Sequence, residues 1–158
     1  MKGTILALAL LGWPAVAAAQ EVHGQDSLFA APGVAIAWGV LRSTAEAETQ
    51  VVVRIAGRGE AYRFVSVEAV DPFTRERQPV LDGRPLGDQV DVRSPRAGFA
   101  DFPRREIHLY RTAEDLRARR PTLTVYYLGV PDTTPEFTTE AALTTYLASA
   151  LSKAHDPR

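Results

Sequence analysis

Runs of apolar residues, and alternation of apolar with polar residues, predict β-strands along most of the chain. Residues 33–41 are continuously apolar and rich in strand-forming side chains. Residues 49–56 alternate, with Val51, Val53 and Ile55 on one face. A short continuous apolar run is typical of a strand buried on both faces, whereas alternation is typical of a strand buried on one face. Both segments are therefore predicted to be strands.

The next segment predicts a hairpin. Residues 57–60 (GRGE) form a short turn with two glycines, and residues 61–70 resume a strand pattern. Two strand patterns joined by a short glycine-containing loop favour pairing of 49–56 with 61–70. Asp71-Pro72 is predicted to end the second strand, because proline has no N–H to donate and restricts the residue before it.

Four further strands are predicted downstream. Residues 78–81 and 88–93 are short candidates separated by a turn at 82–87, where glycine and proline cluster. Residues 105–112 alternate cleanly, and residues 123–130 are apolar on both faces, which predicts a central strand. With the first three segments they make seven short strands, about a dozen residues apart, a pattern typical of an antiparallel sandwich or barrel.

The C-terminal segment carries one apolar stripe at helical spacing. The stripe consists of Leu143, Tyr146, Leu147, Ala150 and Leu151. Residues at i, i+3, i+4, i+7 and i+8 share one face of a helix. The sequence therefore predicts an amphipathic helix, capped by Thr138 or Thr139, whose stripe packs against the sheet of its own domain.

A short helix is predicted just before the last strand. Thr112 is a suitable N-cap, acidic residues follow in the first turn, and Pro121 limits the helix to one or two turns. A short helix followed by a strand with tyrosines, here Tyr126 and Tyr127, resembles a feature of immunoglobulin-like and fibronectin-like sandwiches. The predicted fold is a mostly β, antiparallel β-sandwich of this type with a C-terminal amphipathic α-helix, in a single domain over residues 33–154.

Residues 1–19 have the pattern of a secretory signal peptide. Lys2 supplies a positive charge, a short apolar run follows, and the small residues Ala17 and Ala19 stand at the −3 and −1 positions of a cleavage site. The apolar run is too short to span a bilayer, and no cysteine follows it to carry a lipid anchor. We expect cleavage after Ala19, a mobile segment at residues 20–32, and an exported protein without a membrane anchor.

Composition narrows the classes of function. The chain contains no cysteine and no asparagine, and arginine outnumbers lysine sixteen to two. Without cysteine, disulfides, thiolate metal sites and thiol nucleophiles are excluded. The bias toward alanine and arginine is typical of a GC-rich bacterial genome, which makes the periplasm the predicted location. A net charge of −1 argues against nucleic acid as a partner.

The chain has no recognisable catalytic motif: no nucleophile elbow, zinc-protease helix, phosphate loop or dinucleotide fingerprint. His108 lies on a predicted strand, with Glu106 and Tyr110 on its face and Ile107 and Leu109 on the other. Such a cluster suits acid–base or metal chemistry, but a half-solvated stripe of the sheet is the favoured interpretation. We predict that the protein is not an enzyme and that it holds no metal or cofactor.

Residues 93–106 (RSPRAGFADFPRRE) combine loop residues with side chains that recognise partners. The segment opens a basic stretch, residues 93–120, whose eight arginines and four acidic residues give a net charge of +4. Aromatic rings supply contact area and guanidinium groups bind carboxylates in bidentate fashion, which is typical of a partner-binding or anion-binding surface. The predicted site residues are Arg93, Arg96, Phe99, Phe102, Arg104 and Arg105. The alternative is that both rings cap the core while the arginines extend outward.

Three classes of function are compatible with these patterns. The favoured prediction is a non-catalytic periplasmic accessory module that binds a protein partner through residues 93–106. The alternatives are a binder of a small anionic or amphiphilic ligand between the sheet and the C-terminal helix, and an enzyme without a sequence motif. Geometry distinguishes them: Phe99 and Phe102 at an exposed tip favour a partner, a cavity of roughly a few hundred Å³ favours a ligand, and His108 in a cleft favours an enzyme.

Overall fold

The computed structural model describes residues 20–23, 28–42, 48–128 and 134–155. The predicted signal peptide, residues 1–19, lies outside the described residues, as do residues 129 and 130 at the end of the last predicted strand. Among the helices of the described ranges, none is long and apolar enough to cross a membrane.

The described chain consists mainly of β-strands. In chain order they are β1 (Gln20–His23), β2 (Leu28–Ala31), β3 (Val34–Leu41), β4 (Gln50–Gly57), β5 (Phe64–Val70), β6 (Arg77–Pro85), β7 (Gln89–Pro95), β8 (Arg104–Tyr110), β9 (Leu123–Leu128) and β10 (Glu136–Phe137). A 3-10 helix spans Arg96–Phe99, and the α-helices are α1 (Ala113–Arg117) and α2 (Glu140–His155). Each of the seven predicted strands overlaps an observed strand, and the predicted turn at 82–87 is wrong in part because β6 continues to Pro85.

The strands form two mainly antiparallel sheets. Sheet A has the order β1-β9-β8-β5-β6, and sheet B has the order β10-β3-β4-β7 with β2 also paired to β3. The short outer strands β1 and β10 pair in parallel with β9 and β3, and the other described pairs are antiparallel. β9 lies between β1 and β8, which confirms the prediction that 123–130 is not an edge strand. The segment 20–32, to which the sequence assigned no element, contributes β1 and β2.

The predicted hairpin between 49–56 and 61–70 is wrong. β4 pairs with β3 and β7 in sheet B, whereas β5 pairs with β6 and β8 in sheet A. The turn after β4 instead crosses between the sheets, and the Arg58 N–H donates to the Gly33 carbonyl at 2.9 Å. The edges of β4 are occupied by the preceding strand β3 and by the distant strand β7, and these pairings prevail over a hairpin with β5. β5 forms its hairpin with the next strand, β6, through the tip at residues 71–76.

One cluster of buried side chains draws on both sheets. Sheet B contributes residues such as Ile36, Trp38 and Ile55, and sheet A contributes Ile107 and Leu109, all at most 1% exposed. The sheets therefore share a core, and the prediction of a mostly β domain with a C-terminal helix is confirmed.

Helix α2 covers the outer face of sheet B. Its buried residues Leu143, Leu147 and Leu151 pack on small side chains of β3 and β4, namely Ala35, Ala37, Val52 and Ala56. A Cβ at Gly39 would lie 2.9 Å from Leu143 Cδ1, so glycine allows the helix to approach. Of the two proposed caps it is Thr139 that accepts the Ala142 N–H, at 3.1 Å. The prediction that the stripe packs on its own sheet is confirmed.

Candidate binding sites

The structure distributes the predicted segment 93–106 over three elements. Arg93 lies near the end of edge strand β7, Phe99 closes the 3-10 helix, and Arg104 and Arg105 begin β8. Phe99 is 8% exposed and belongs to the shared core, whereas Phe102 is half-buried. The rings therefore do not stand together at an exposed tip, and for Phe99 the alternative of a ring that caps the core describes the structure.

Each arginine of this segment has an intramolecular contact. Arg93 donates to both carboxylate oxygens of Glu140 at 2.7 and 2.8 Å. Arg96 lies 3.6 Å from Glu136.

The remaining two arginines stack on rings. The Arg104 guanidinium lies 3.9 Å from the Tyr126 ring centroid and 2.8 Å from Glu106. Arg105, which is 4% exposed, stacks 3.8 Å over the Phe99 ring and donates to the Phe102 carbonyl. Arg105 therefore holds the loop to the sheet and Arg104 binds within the sheet, while Arg93 and Arg96 remain the accessible cations of the segment.

A polar cluster occupies the outer face of sheet A. Glu106 and His108 of β8 lie opposite Glu68 and Ser66 of β5 in the ladder, so their side chains share one face. His108 Nδ1 lies 3.1 Å from Thr124 Oγ1, and His108 Nε2 lies 3.1 Å from Glu68 Oε1. Both ring nitrogens of His108 are thus engaged by neighbouring strands.

Burial of this cluster corrects the sequence interpretation. Glu106 is 4% exposed and Tyr110 is 3% exposed, so the stripe is not half-solvated. Burial raises the pKa of the Tyr110 hydroxyl, and its hydrogen bond with Ser66 opposes that rise. The hydrogen bond to Glu106 raises the pKa of Arg77. The sequence missed Glu68 and Arg77, although the apolar–polar alternation of β5 was a signal for Glu68.

The cluster has the spacing of a metal site but is occupied by a guanidinium. Glu68, Glu106 and His108 offer ligand atoms within 4.8 Å of one another. Arg77 Nη1, however, lies 2.9 Å from Glu68 Oε1 and 2.8 Å from Glu106 Oε1. Arg77 and Arg104 together neutralise the two carboxylates, and a metal ion would have to displace Arg77.

A groove of about 410 Å³ adjoins this cluster. Its walls combine Glu68, Arg77, His108 and Tyr110 with Asp82 and Arg119 of neighbouring elements. Asp82 and Arg119 lie 3.6 Å apart and are largely exposed. Acidic and basic groups alternate around the groove, so it has no clear preference for the charge of a ligand.

A second cavity, also of about 410 Å³, lies between sheet B and the C-terminal end of α2. Its lining consists mainly of small apolar residues: Ala30, Ala31, Pro32, Gly33, Val34, Ala35, Arg58 and Ala154. We call it the helix-end cavity. This is the place predicted from the sequence for the alternative function, which is binding of a small ligand between the sheet and the C-terminal helix.

Arg58 is the cation of the helix-end cavity. Its Nη2 donates to the Leu151 carbonyl at 2.6 Å, while its Nε, among the described residues, is buried without a hydrogen-bond partner. A guanidinium carries five N–H donors, so the bond to Leu151 leaves donor capacity for an anion. The sequence missed this residue, which it placed only as part of the turn at 57–60.

Comparisons of the chain with protein-family models, with curated proteins and with solved structures give no significant match. The function is therefore inferred from the chemistry and geometry of the described residues.

Proposed function

We propose that this chain is an exported, non-catalytic β-sandwich of the immunoglobulin-like or fibronectin-like type that binds a small amphiphilic anion in the periplasm. The ligand lies in the helix-end cavity, with its anionic group on Arg58 and its apolar part along β2 and β3. The sandwich type is supported by two sheets that share one core. His108 does line a groove, the geometry that favours an enzyme, but both of its ring nitrogens are engaged by Thr124 and Glu68, and the non-catalytic role is proposed on that ground.

Export is supported by the N-terminal pattern and by the position of the first strand. The predicted cleavage after Ala19 would leave Gln20, the first residue of β1, as the new N-terminus. β1 extends sheet A beside β9, so this cleavage keeps the sheet intact. N-terminal sequencing of protein recovered from the periplasmic fraction should begin at Gln20.

The single observation that carries the proposed ligand is the combination of Arg58 with an apolar cavity. A volume of about 410 Å³ falls in the range of small-molecule sites. Small side chains such as Ala30, Ala35 and Ala154 leave room for an alkyl chain. Arg58 lines the cavity and has N–H donors beyond the one that the Leu151 carbonyl accepts, so an anionic oxygen in the cavity could bond to it. Together these features favour a ligand with an anionic head and a short apolar tail.

The test is binding of decanoate to the purified protein, measured by calorimetry. The loss of one charge-assisted hydrogen bond costs about 1.5–3 kcal/mol. Arg58→Met should therefore weaken binding on the order of 10-fold to 100-fold. Arg63→Met is the matched control, because Arg63 is exposed on the same connection and does not line the cavity.

Ligand chemistry provides a second control. The neutral detergent octyl glucoside should bind far more weakly than decanoate, and Ala30→Leu, on the face of sheet B that lines the cavity, should reduce decanoate binding. Equal affinity of the native protein and Arg58→Met for decanoate, or absence of binding to both, would refute the proposed ligand.

A protein partner at the end of sheet A is the second candidate. Val70 pairs with both Arg77 and Arg104, so the β5–β6 hairpin tip and the 93–106 segment lie at the same end of the sheet. Phe73 at that tip is 91% exposed, and aromatic rings and arginines are both enriched at protein interfaces. This observation favours a partner that contacts Phe73 together with Arg96.

Capture from a periplasmic extract tests the second candidate. A partner retained by the native protein should be lost with Phe73→Ser and Arg96→Glu, which change exposed side chains and leave the core ring Phe99 in place. A double variant of Val80→Ser and Arg84→Glu, on the exposed strand β6, is the control. If both variants capture the same proteins as the native chain, this surface has no partner role.

A further inference from the structure

Strand β7 ends sheet B with an edge that no described strand covers. β4 is its neighbour on one side, and β7 is the last strand in the order of the sheet. Val90, Val92 and Ser94 are buried toward the core, while Gln89, Arg93 and Pro95 are exposed. An edge strand presents a row of N–H and C=O groups that can pair with another chain.

The hydrogen bonds at both ends of the β4–β7 ladder show which residues of β7 direct their backbone groups toward β4 and which direct them away from the sheet. The Gly57 N–H donates to the Asp88 carbonyl at 3.0 Å, and the Arg96 N–H donates to the Thr49 carbonyl at 2.8 Å. Hydrogen-bonded positions alternate along an antiparallel ladder. Even-numbered residues of β7 therefore direct their backbone groups to β4, and Gln89, Asp91 and Arg93 direct theirs away from the sheet.

We propose that two copies of this chain pair through β7, antiparallel and about a twofold axis at Val92. In this register Asp91 of one copy lies opposite Arg93 of the second copy, and the reverse pair completes the symmetry. Both residues direct their N–H and C=O groups outward, so each pair exchanges both backbone hydrogen bonds. Within each copy Asp91 already accepts from Arg54 and Arg93 already donates to Glu140. Each cross-strand pair therefore joins these two ion pairs into one row of alternating charge, which is favourable in a sheet.

The sequence of β7 selects this register and this partner. A shift of the axis to Asp91 or to Arg93 would place identical charges opposite each other, which is unfavourable. The order Asp91-Val92-Arg93 is therefore self-complementary when the strand is reversed, as an isologous interface requires.

Edge strand β6 of sheet A lacks these properties. β6 contains Pro79, its ladder with β5 has register shifts at Val67, and nearly all of its residues are exposed. Proline and irregular pairing are devices that protect an edge from association. In β7 the one proline, Pro95, is the last residue of the strand. The edge at β6 is therefore protected, whereas the edge at β7 is regular.

Complementary charge variants test the interface by sedimentation equilibrium. The native protein is expected to form a dimer. Arg93→Asp places aspartate opposite aspartate, and Asp91→Arg places arginine opposite arginine, so each variant alone should be monomeric. An equimolar mixture should form a heterodimer, because every cross-strand pair then joins opposite charges. Asp82→Arg, a charge reversal on β6, is the matched control and should stay dimeric.

A cysteine variant tests the register without changing charge. The chain has no native cysteine. Val92→Cys should form a disulfide between copies with oxidised glutathione, because the axis places the two residues side by side. Val90→Cys, which faces Ser94 of the second copy, should not form one. A native protein that stays monomeric, a mixture that does not associate, or a disulfide at residue 90 rather than 92 would overturn the proposal.

Discussion

Two glycines with a positive φ, Gly33 and Gly59, differ in the space available for a side chain. Gly33 has a φ of +92°, and a Cβ there would lie 2.6 Å from the Ala61 Cβ. Gly59 also has a positive φ, +75°, but a Cβ at Gly59 would meet no atom within 4 Å. The two glycines therefore separate the cost of backbone strain from the cost of a steric clash.

We expect Gly33→Ala to lower the free energy of unfolding by more than about 2 kcal/mol, because strain and clash add. Gly59→Ala should cost only about 1 kcal/mol, from the backbone conformation alone. Urea denaturation of the two variants measures the difference. Equal losses would mean that the chain near Ala61 moves aside without cost.

Arg77 balances the buried carboxylate of Glu106. The Glu106 side chain is 5% exposed and accepts from Arg77 and Arg104, each at 2.8 Å. Because the Arg77 side chain is 48% exposed, part of this interaction is screened by solvent. The pair therefore contributes less than a fully buried one.

Arg77→Gln should lower the free energy of unfolding by about 1–2 kcal/mol, because it leaves a buried charge with one fewer partner. The addition of Glu106→Gln should recover part of this loss, since the unpaired charge is removed. Arg84→Gln, on the exposed part of the same strand, is the control and should stay within about 0.5 kcal/mol of the native protein. Chemical denaturation gives all three values.

At the scale of elements, one ion pair links helix α2 to the edge of sheet B. Glu140 lies in the first turn of α2 and is bonded by Arg93 of β7. The hydrogen bond from Arg93 lowers the pKa of Glu140 below its ordinary value. A carboxylate also interacts favourably with the N-terminal end of a helix.

This pKa shift predicts how stability changes with pH. A carboxyl group with a lowered folded pKa stabilises the protein above its ordinary pKa, and this contribution is lost as pH falls through the folded value. Glu140→Gln should therefore reduce the fall in melting temperature on acidification. Asp71 also has a lowered pKa, from the Phe73 N–H, so some dependence should remain. An unchanged pH profile would show that the Arg93–Glu140 pair does not form in solution.

At the scale of the whole molecule, the two sheets depend on one core. Ile55 of sheet B and Ile107 of sheet A are both fully buried in the same cluster. Neither sheet buries its inner face without the other, so the domain is expected to unfold in a single transition.

Ile55→Ala and Ile107→Ala should each cost about 2–5 kcal/mol, through lost burial and the resulting cavity. In both variants, Trp38 fluorescence and far-ultraviolet circular dichroism should report the same transition. Transitions that separate in one variant would show that the sheets unfold independently.

The sequence predicted most elements, but the one strand pairing that it predicted was wrong. Every predicted strand overlaps an observed one, because alternation and apolar runs reflect burial of the strand itself. The hairpin of β4 with β5 was wrong, because a turn sequence does not report which distant strands compete for an edge. The short strands β1 and β2 were missed, since four residues are too few to show a period.

For the candidate sites too, the sequence identified local features but not the contacts between distant segments. The sequence marked residues 93–106 from composition, and the structure buries Phe99 and Arg105 of that segment while Arg93 binds helix α2. It missed Arg58 and Arg77, because one arginine in a turn or on a polar strand has no distinctive pattern. A cavity is lined by residues from segments that are far apart in the chain, so a local sequence pattern does not predict it.

The sequence by itself determined the seven longer strands, the caps and the amphipathic C-terminal helix, because these depend on side chains close together in the chain. Only the tertiary structure decided which strands share a sheet, which arginines are bound internally, and where Arg58 meets an apolar cavity. Those outcomes depend on which segments, far apart in sequence, pack against each other. The free energy gained by burying apolar surface depends on the complete packing arrangement and not on any one segment.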